Sequence, residues 1–104
     1  MGVFRFSQLA GSDLRDISRK TARAWGVPQA RRYLDRLEAG CQALADNPGV
    51  GHACDDVRLG LRRLEVGRHV VFYRPTPEGI FVVRILHDRM LPGRHIPDEQ
   101  EDDA

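Results

Sequence analysis

The side chains best equipped for chemistry are Arg62, Arg68, His69, Arg84, His87, Arg89 and His95, all in the second half of the chain. Histidine titrates near neutral pH, and arginine carries a planar charge that grips phosphate and carboxylate. Together these types could cleave a phosphodiester without metal. That reaction needs a base for the 2′-hydroxyl, cations for the charged phosphorane and an acid for the leaving oxygen, all within hydrogen-bond reach of one phosphate. The spacing does not demand it. His69 opens one apolar run and His87 closes another, where polar residues are routine, and a structural hydrogen bond from His87, to Asp88 or to a neighbouring strand, is the simpler reading. His52 and His95 fall in loop-like sequence. No two histidines stand at a metal-ligand spacing with carboxylates beside them, so no metal site and no cofactor is expected. Cys41 and Cys54 form neither a CxxC pair nor a zinc framework. They read as two reduced thiols, one on a helix and one in a loop.

Charge is unevenly spread. The net charge is +1, but residues 98–104, DEQEDDA, hold five acids and no base. The remaining body has sixteen basic against ten acidic residues, and fifteen of the sixteen bases are arginine. Two explanations stay open: a surface that holds acidic protein or nucleic acid, or the arginine-codon preference of a GC-rich genome. The length of 104 residues fits one domain, expected at 1–97 with an acidic disordered tail at 98–104. No apolar stretch is long enough to cross a bilayer, and MGVFRFSQL lacks the layout of a signal peptide. The expected setting is the cytoplasm.

The elements that must position these groups follow from periodicity. Val3–Ser7 alternates and predicts a strand. Ser7 is placed to cap a helix carrying Leu14, Ile17, Thr21 and Ala24 at helical spacing, with Gly26 as its stop. Pro28 restarts the chain. Ala30, Leu34, Leu37, Cys41 and Leu44 then step by four and three residues, which predicts a helix of about five turns. So short a connection implies a helical hairpin. Residues 48–60 hold three glycines and no period, and read as a loop. Three strands follow: 61–66, 69–74 after a turn at Gly67-Arg68, and 80–86 after a turn at 75–79. The expected fold is α+β, in the order β-α-α-β-β-β, with the hairpin packed on a small antiparallel sheet. The last strand, IFVVRIL, is apolar nearly throughout, so its second face needs a cover. Segment 90–97 or a partner chain could supply it.

An ordered series of residues gives this layout a family. It runs from Asp13-Leu14 and Ile17 to Trp25-Gly26, Gln29-Ala30 and Tyr33, then to Leu44-Ala45, Pro48 and Gly51. It continues through Arg58, Gly60-Leu61-Arg62 and His69–Arg74, and ends at Gly79-Ile80 and Arg84–Met90. Over residues 4–91 the chain resembles the ParE toxins of the RelE/ParE superfamily. The resemblance implies the toxin of a bacterial type II toxin–antitoxin pair. Such a toxin inhibits DNA gyrase by binding it, has no catalytic residues, and is neutralised by a ParD-like antitoxin in a heterotetramer or larger complex. It also implies no sequence-specific DNA binding by this chain and no membrane partner. Two alternatives stand beside it: a RelE-like endoribonuclease that cuts mRNA on the ribosome, and an inactive toxin that retains only antitoxin binding. RelE-like enzymes commonly carry a tyrosine near the C-terminus, and this chain has tyrosine only at Tyr33 and Tyr73.

Under the family reading, an apolar groove formed by hairpin and sheet seats the antitoxin, with Leu9, Leu14, Leu37 and Phe72 as its expected lining and arginines on its rim. Arg84, His87, Arg89 and Arg94 are the expected target-binding residues. Trp25 and Tyr33 either seal the end of the hairpin or anchor a partner. An uncovered apolar strand face would make the free chain poorly soluble. A trough filled by the chain's own side chains, beside a histidine, an arginine and a carboxylate converging on one pocket, would overturn this reading.

Overall fold

In the computed structural model, which describes residues 1–97, Ser7 joins the first strand to the first helix in one step. Strand β1 spans Val3–Phe6 and helix α1 spans Gln8–Trp25. The Ser7 hydroxyl accepts a hydrogen bond from the Ala10 N–H at 3.0 Å and donates to the Val83 carbonyl at 2.7 Å. The cap, a feature that contributes about 1 kcal/mol, thus also ties the helix start to the sheet. The acidic tail lies outside the described residues.

Gly26 serves two helices. Its φ of 94° ends α1, and α2 starts at once at Val27 and runs to Asp46. A left-handed residue with no side chain is what so abrupt a corner requires. Pro28 sits in the first turn of α2, where its missing N–H has no intrahelical partner. Of the predicted stripe, Ala30, Leu37, Cys41 and Leu44 are at 4% exposure or less, and Leu34 is half-buried.

The loop after α2 is partly structured. It holds one 3-10 turn at Pro48–Val50 and a two-residue strand, β2, at His52–Ala53. Strands β3 (Arg62–Val66), β4 (His69–Thr76) and β5 (Gly79–His87) form the expected meander, and β4 continues through Pro75 into the predicted turn. A short helix, α3, follows at Pro92–His95. The sheet order is β1-β5-β4-β3-β2. It is mixed rather than wholly antiparallel, because β1 runs parallel to β5, with Phe4 opposite Ile80 and Phe6 opposite Val82. A four-residue strand carries no local mark of a partner 76 positions away, so its placement is a tertiary outcome.

The core lies on both faces of the sheet. On the helix side, Ala10, Ile17, Leu37, Cys41 and Leu44 meet Val71, Tyr73, Ile80, Val82 and Ile85. On the other side, Val70, Phe72, Val83 and Leu86 pack with Cys54 and Leu61, and Val57, Phe81 and Ile96 close over them. The chain's own loop and C-terminal segment therefore cover the second strand face. The predicted insolubility of the free chain loses its premise, because that face is not bare.

Candidate functional site

The site is built around the end of β5, where a break in register turns a charge toward α1. Tyr73 faces Val82 but Phe72 faces Arg84, which leaves Val83 as an extra residue of β5. Beyond it, Ile85 and Leu86 resume alternation between the two cores, and Arg84 meets α1. The Asp13 carboxylate accepts from Arg84 Nε at 2.9 Å and from Arg84 Nη2 at 2.7 Å. It also accepts from the Ile85 backbone N–H at 2.9 Å. Arg84 Nη1 donates to the His95 carbonyl at 2.6 Å, which holds α3 in place. The two side chains are only 14% and 12% exposed. One bidentate pair thus joins α1, β5 and the C-terminal segment, and satisfies a sheet-edge N–H that β1 is too short to reach.

One turn further along, the ends of β4 and β5 bring histidines together. The His69 and His87 rings meet edge to face, 5.5 Å apart. His87 Nδ1 lies 3.0 Å from the Asp88 carboxylate, one of the two partners the sequence offered. The Tyr33 hydroxyl lies 2.6 Å from His69 Nδ1 and 3.3 Å from the Val66 carbonyl, and it accepts from the Arg68 N–H at 3.1 Å. A hydroxyl has one proton, and the shorter contact takes it when His69 is neutral with Nδ1 free. Burial, and then the neighbouring His87, push His69 below its usual range, which favours that form. Gly67 makes the approach possible. Its φ is 59°, and a Cβ there would stand 2.7 Å from the Tyr33 ring.

Two adjoining hollows open here, sharing Lys20, Thr21, His69 and His87. One, of about 290 Å³, is bordered by Asp13, Asp16 and Arg84. The other, of about 500 Å³, reaches Trp25, Arg36 and Arg68. A histidine, an arginine and a carboxylate do converge, as the opposing expectation specified. Each carboxylate of the smaller hollow, however, is held by an arginine: Asp13 by Arg84 and Asp16 by Arg19 at 2.8 Å. Among the described residues, no group of three His, Cys, Asp or Glu side chains could hold a metal ion. Arg62 is turned away from the site, donating to the Gly51 carbonyl at 2.6 Å.

A third hollow, of about 230 Å³, is apolar and lies between β1 and the two helices. Phe4, Phe6, Leu14 and Leu34 line it, with Leu37 in its floor. Of the expected groove residues, Leu14 and Leu37 meet here, and Leu9 is 43% exposed on α1. Phe72 is 2% exposed on the opposite face of the sheet, in the second core, so it presents no surface to a partner in this conformation. Of the expected target-binding residues, Arg89 and Arg94 are exposed and His87 is half-buried, whereas Arg84 is engaged internally. Tyr33 is partly buried, but Trp25 is 75% exposed, so Trp25 does not seal the hairpin.

Residues 4–92 match the family model described as ParE toxin of type II toxin-antitoxin system, parDE. The chain belongs to the ParE toxin family. Toxin ParE1 of Mycobacterium tuberculosis is 44% identical over 89% of this chain and 96% of its own length. Toxin ParE of Escherichia coli is 42% identical over 86% and 88%. Toxin ParE1 of Caulobacter vibrioides is 38% identical over 92% and 99%. A solved chain from the chromosomal ParDE TA system of P. aeruginosa shares the fold, with a TM-score of 0.71 at 18% identity, covering 84% of this chain and 96% of that one. The matched span includes every residue of the two histidine-bordered hollows, so this ParE family member carries them within its toxin domain.

The sequence reading missed three participants: Asp13 as the partner of Arg84, Tyr33 as the partner of His69, and Lys20 on the shared wall. The one local signal was Arg84 itself, a lone charge inside IFVVRIL, which must either find a counter-ion or leave the core.

Proposed function

We propose that this ParE family member acts in the cytoplasm by binding DNA gyrase without chemistry of its own, and that a ParD-like antitoxin neutralises it in a heterotetramer or larger complex. The observation that carries the reading is the engagement of Asp13. Three donors occupy its carboxylate, so the acid beside Arg84 in the smaller hollow has no free role as a proton acceptor. Exposed Arg89 and Arg94, with half-buried His87, form the target surface, and Arg84 acts through its hold on the C-terminal segment. The apolar hollow at Phe4, Phe6, Leu14 and Leu34 seats an antitoxin side chain, and Leu9, exposed on α1, offers a further contact. The deciding assay is DNA supercoiling by purified gyrase. Inhibition at micromolar chain, lost on Arg89→Glu with Arg94→Glu, is the expected result. Leu34→Glu should abolish antitoxin rescue and leave inhibition intact.

One observation favours a second reading. Tyr33 hydrogen-bonded to His69, with the His87 ring in edge contact, gathers proton carriers beside Lys20 and Arg68, the kind of groups metal-free RNA cleavage requires. Untouched supercoiling together with cutting of ribosome-bound mRNA would replace gyrase binding by a RelE-like ribonuclease. A chain whose expression arrests no growth, yet which still binds antitoxin, would be the inactive form.

A further inference from the structure

Trp25 is the chain's only tryptophan, and it stands 75% exposed at the corner between α1 and α2. A large aromatic so exposed loses the apolar burial that usually retains it. Its surroundings are not apolar either. The hollow of about 500 Å³ beside it is bordered by Lys20, Arg36 and Arg68, with Gln29 on the rim. Among the described residues, no aspartate or glutamate lines it. Arg36 lies over the Tyr33 ring, 5.7 Å from its centre, which holds that charge at the hollow's edge. The floor is fixed by the hydroxyl of Tyr33, which is bonded to His69 and Arg68.

We propose that this hollow binds single-stranded nucleic acid without reading its sequence. A flat indole within a ring of cations matches an unstacked base joined to phosphates. The three cations meet the backbone, and the indole meets a base. The volume suits one nucleotide, since small-ligand clefts run from about 300 Å³ upwards. Duplex DNA fits less well, because its bases are already stacked and cannot reach Trp25. An acidic peptide would meet the arginines equally well, but its carboxylates do not stack on the indole as every base does, so the exposed tryptophan decides between them. The inference is separate from antagonism of gyrase and survives or fails on its own.

The test uses the full chain and its own fluorescence. An oligothymidylate of about eight nucleotides, a length within the usual site range, should quench Trp25 saturably at micromolar concentration. Three phosphate contacts give a logarithmic salt slope of about −2 for a single strand, so affinity should fall roughly fifteen-fold between about 50 and about 200 mM salt. Arg36→Gln with Arg68→Gln should weaken binding about tenfold or more, and Trp25→Ala, read by anisotropy of a labelled strand, should weaken it by a similar factor. The melting temperatures of these variants should stay unchanged, since the altered side chains are exposed. Arg63→Gln, on exposed β3, should change nothing. Absence of quenching at high micromolar strand would overturn the inference. So would equal affinity for duplex, an equal response to a poly-glutamate peptide, or full binding by Trp25→Ala. Inhibited supercoiling with no quenching would sink this inference alone.

Discussion

The two faces of the sheet are covered in different ways. One lies under α1 and α2, helices of 18 and 20 residues whose apolar stripes interlock with β4 and β5. The other lies under an irregular loop and the single side chain of Ile96. The helical cover is internally hydrogen-bonded and is pinned to the sheet by Ser7 and by Asp13. The loop cover relies on a few backbone bonds, such as Cys54 N–H to the Leu61 carbonyl at 2.9 Å, and on Arg84 holding the carbonyl of His95. Similar apolar residues thus sit beneath covers of unequal strength. Local opening should begin on the loop side, where fewer bonds must break.

Asp13→Ala should have the largest effect on that contrast. It strands Arg84 in a mostly buried position and frees the Ile85 N–H, at a cost of about 3–5 kcal/mol. Thermal unfolding reads it, and a loss under 1 kcal/mol would mean that the pair does not hold α1 to the sheet. Leu37→Ala follows, at about 2–5 kcal/mol for a cavity under the helices. Leu37 was also an expected antitoxin contact, so binding should be compared at a temperature where the variant is folded. Ile96→Ala, on the loop side, should cost only about 1 kcal/mol, because the residue is incompletely buried. A loss equal to that of Leu37→Ala would erase the distinction between the covers. Arg19→Ala removes a pair 63% and 56% exposed, and should shift stability by no more than about 0.5 kcal/mol.

The smallest effect is a pH dependence at the edge of the helix-covered side. His69 faces His87, Asp88, Asp13, Lys20, Arg68 and the Tyr33 hydroxyl. Its folded pKa is depressed, chiefly by burial, so between about 6.5 and that lower value the unfolded chain binds more protons than the folded one. Stability contributed by neutral His69 is present above that window and declines as pH falls through it. Melting temperatures between about pH 7.5 and pH 5.5 should therefore drop less steeply in His69→Gln than in the natural chain. Identical slopes would mean that His69 titrates alike in both states.

The strongest chemical contrast between the two cores lies in their thiols. Cys41, beneath the helices, is pushed up to about 12 by burial and by the nearby Glu38. Cys54, beneath the loop, is also raised, chiefly by burial; Arg63 acts against that, Asp56 and Asp55 add to it, and Arg62 opposes it more weakly. Both are free and buried, as two reduced thiols were expected to be. Cys54 should be the first to react with a thiol reagent, because its cover opens more readily.

What the residues determined unaided was local. The Ser7 cap, the Gly26 corner, the stripe from Ala30 to Leu44 and the Gly67 turn each rest on contacts within a few positions, and each stands where periodicity put it. The family series was legible for the same reason, since it is an ordered list of such local devices. Only the tertiary structure decided that β1 runs parallel to β5, that Phe72 faces the second core, that Asp13 receives Arg84 across 71 positions, and that Tyr33 reaches His69 over Gly67. Those outcomes depend on which surfaces meet when the hairpin closes on the sheet. Hydrophobic burial is non-directional, so a sequence can state that Phe72 must be covered or that Arg84 needs a counter-ion without naming the residue that answers.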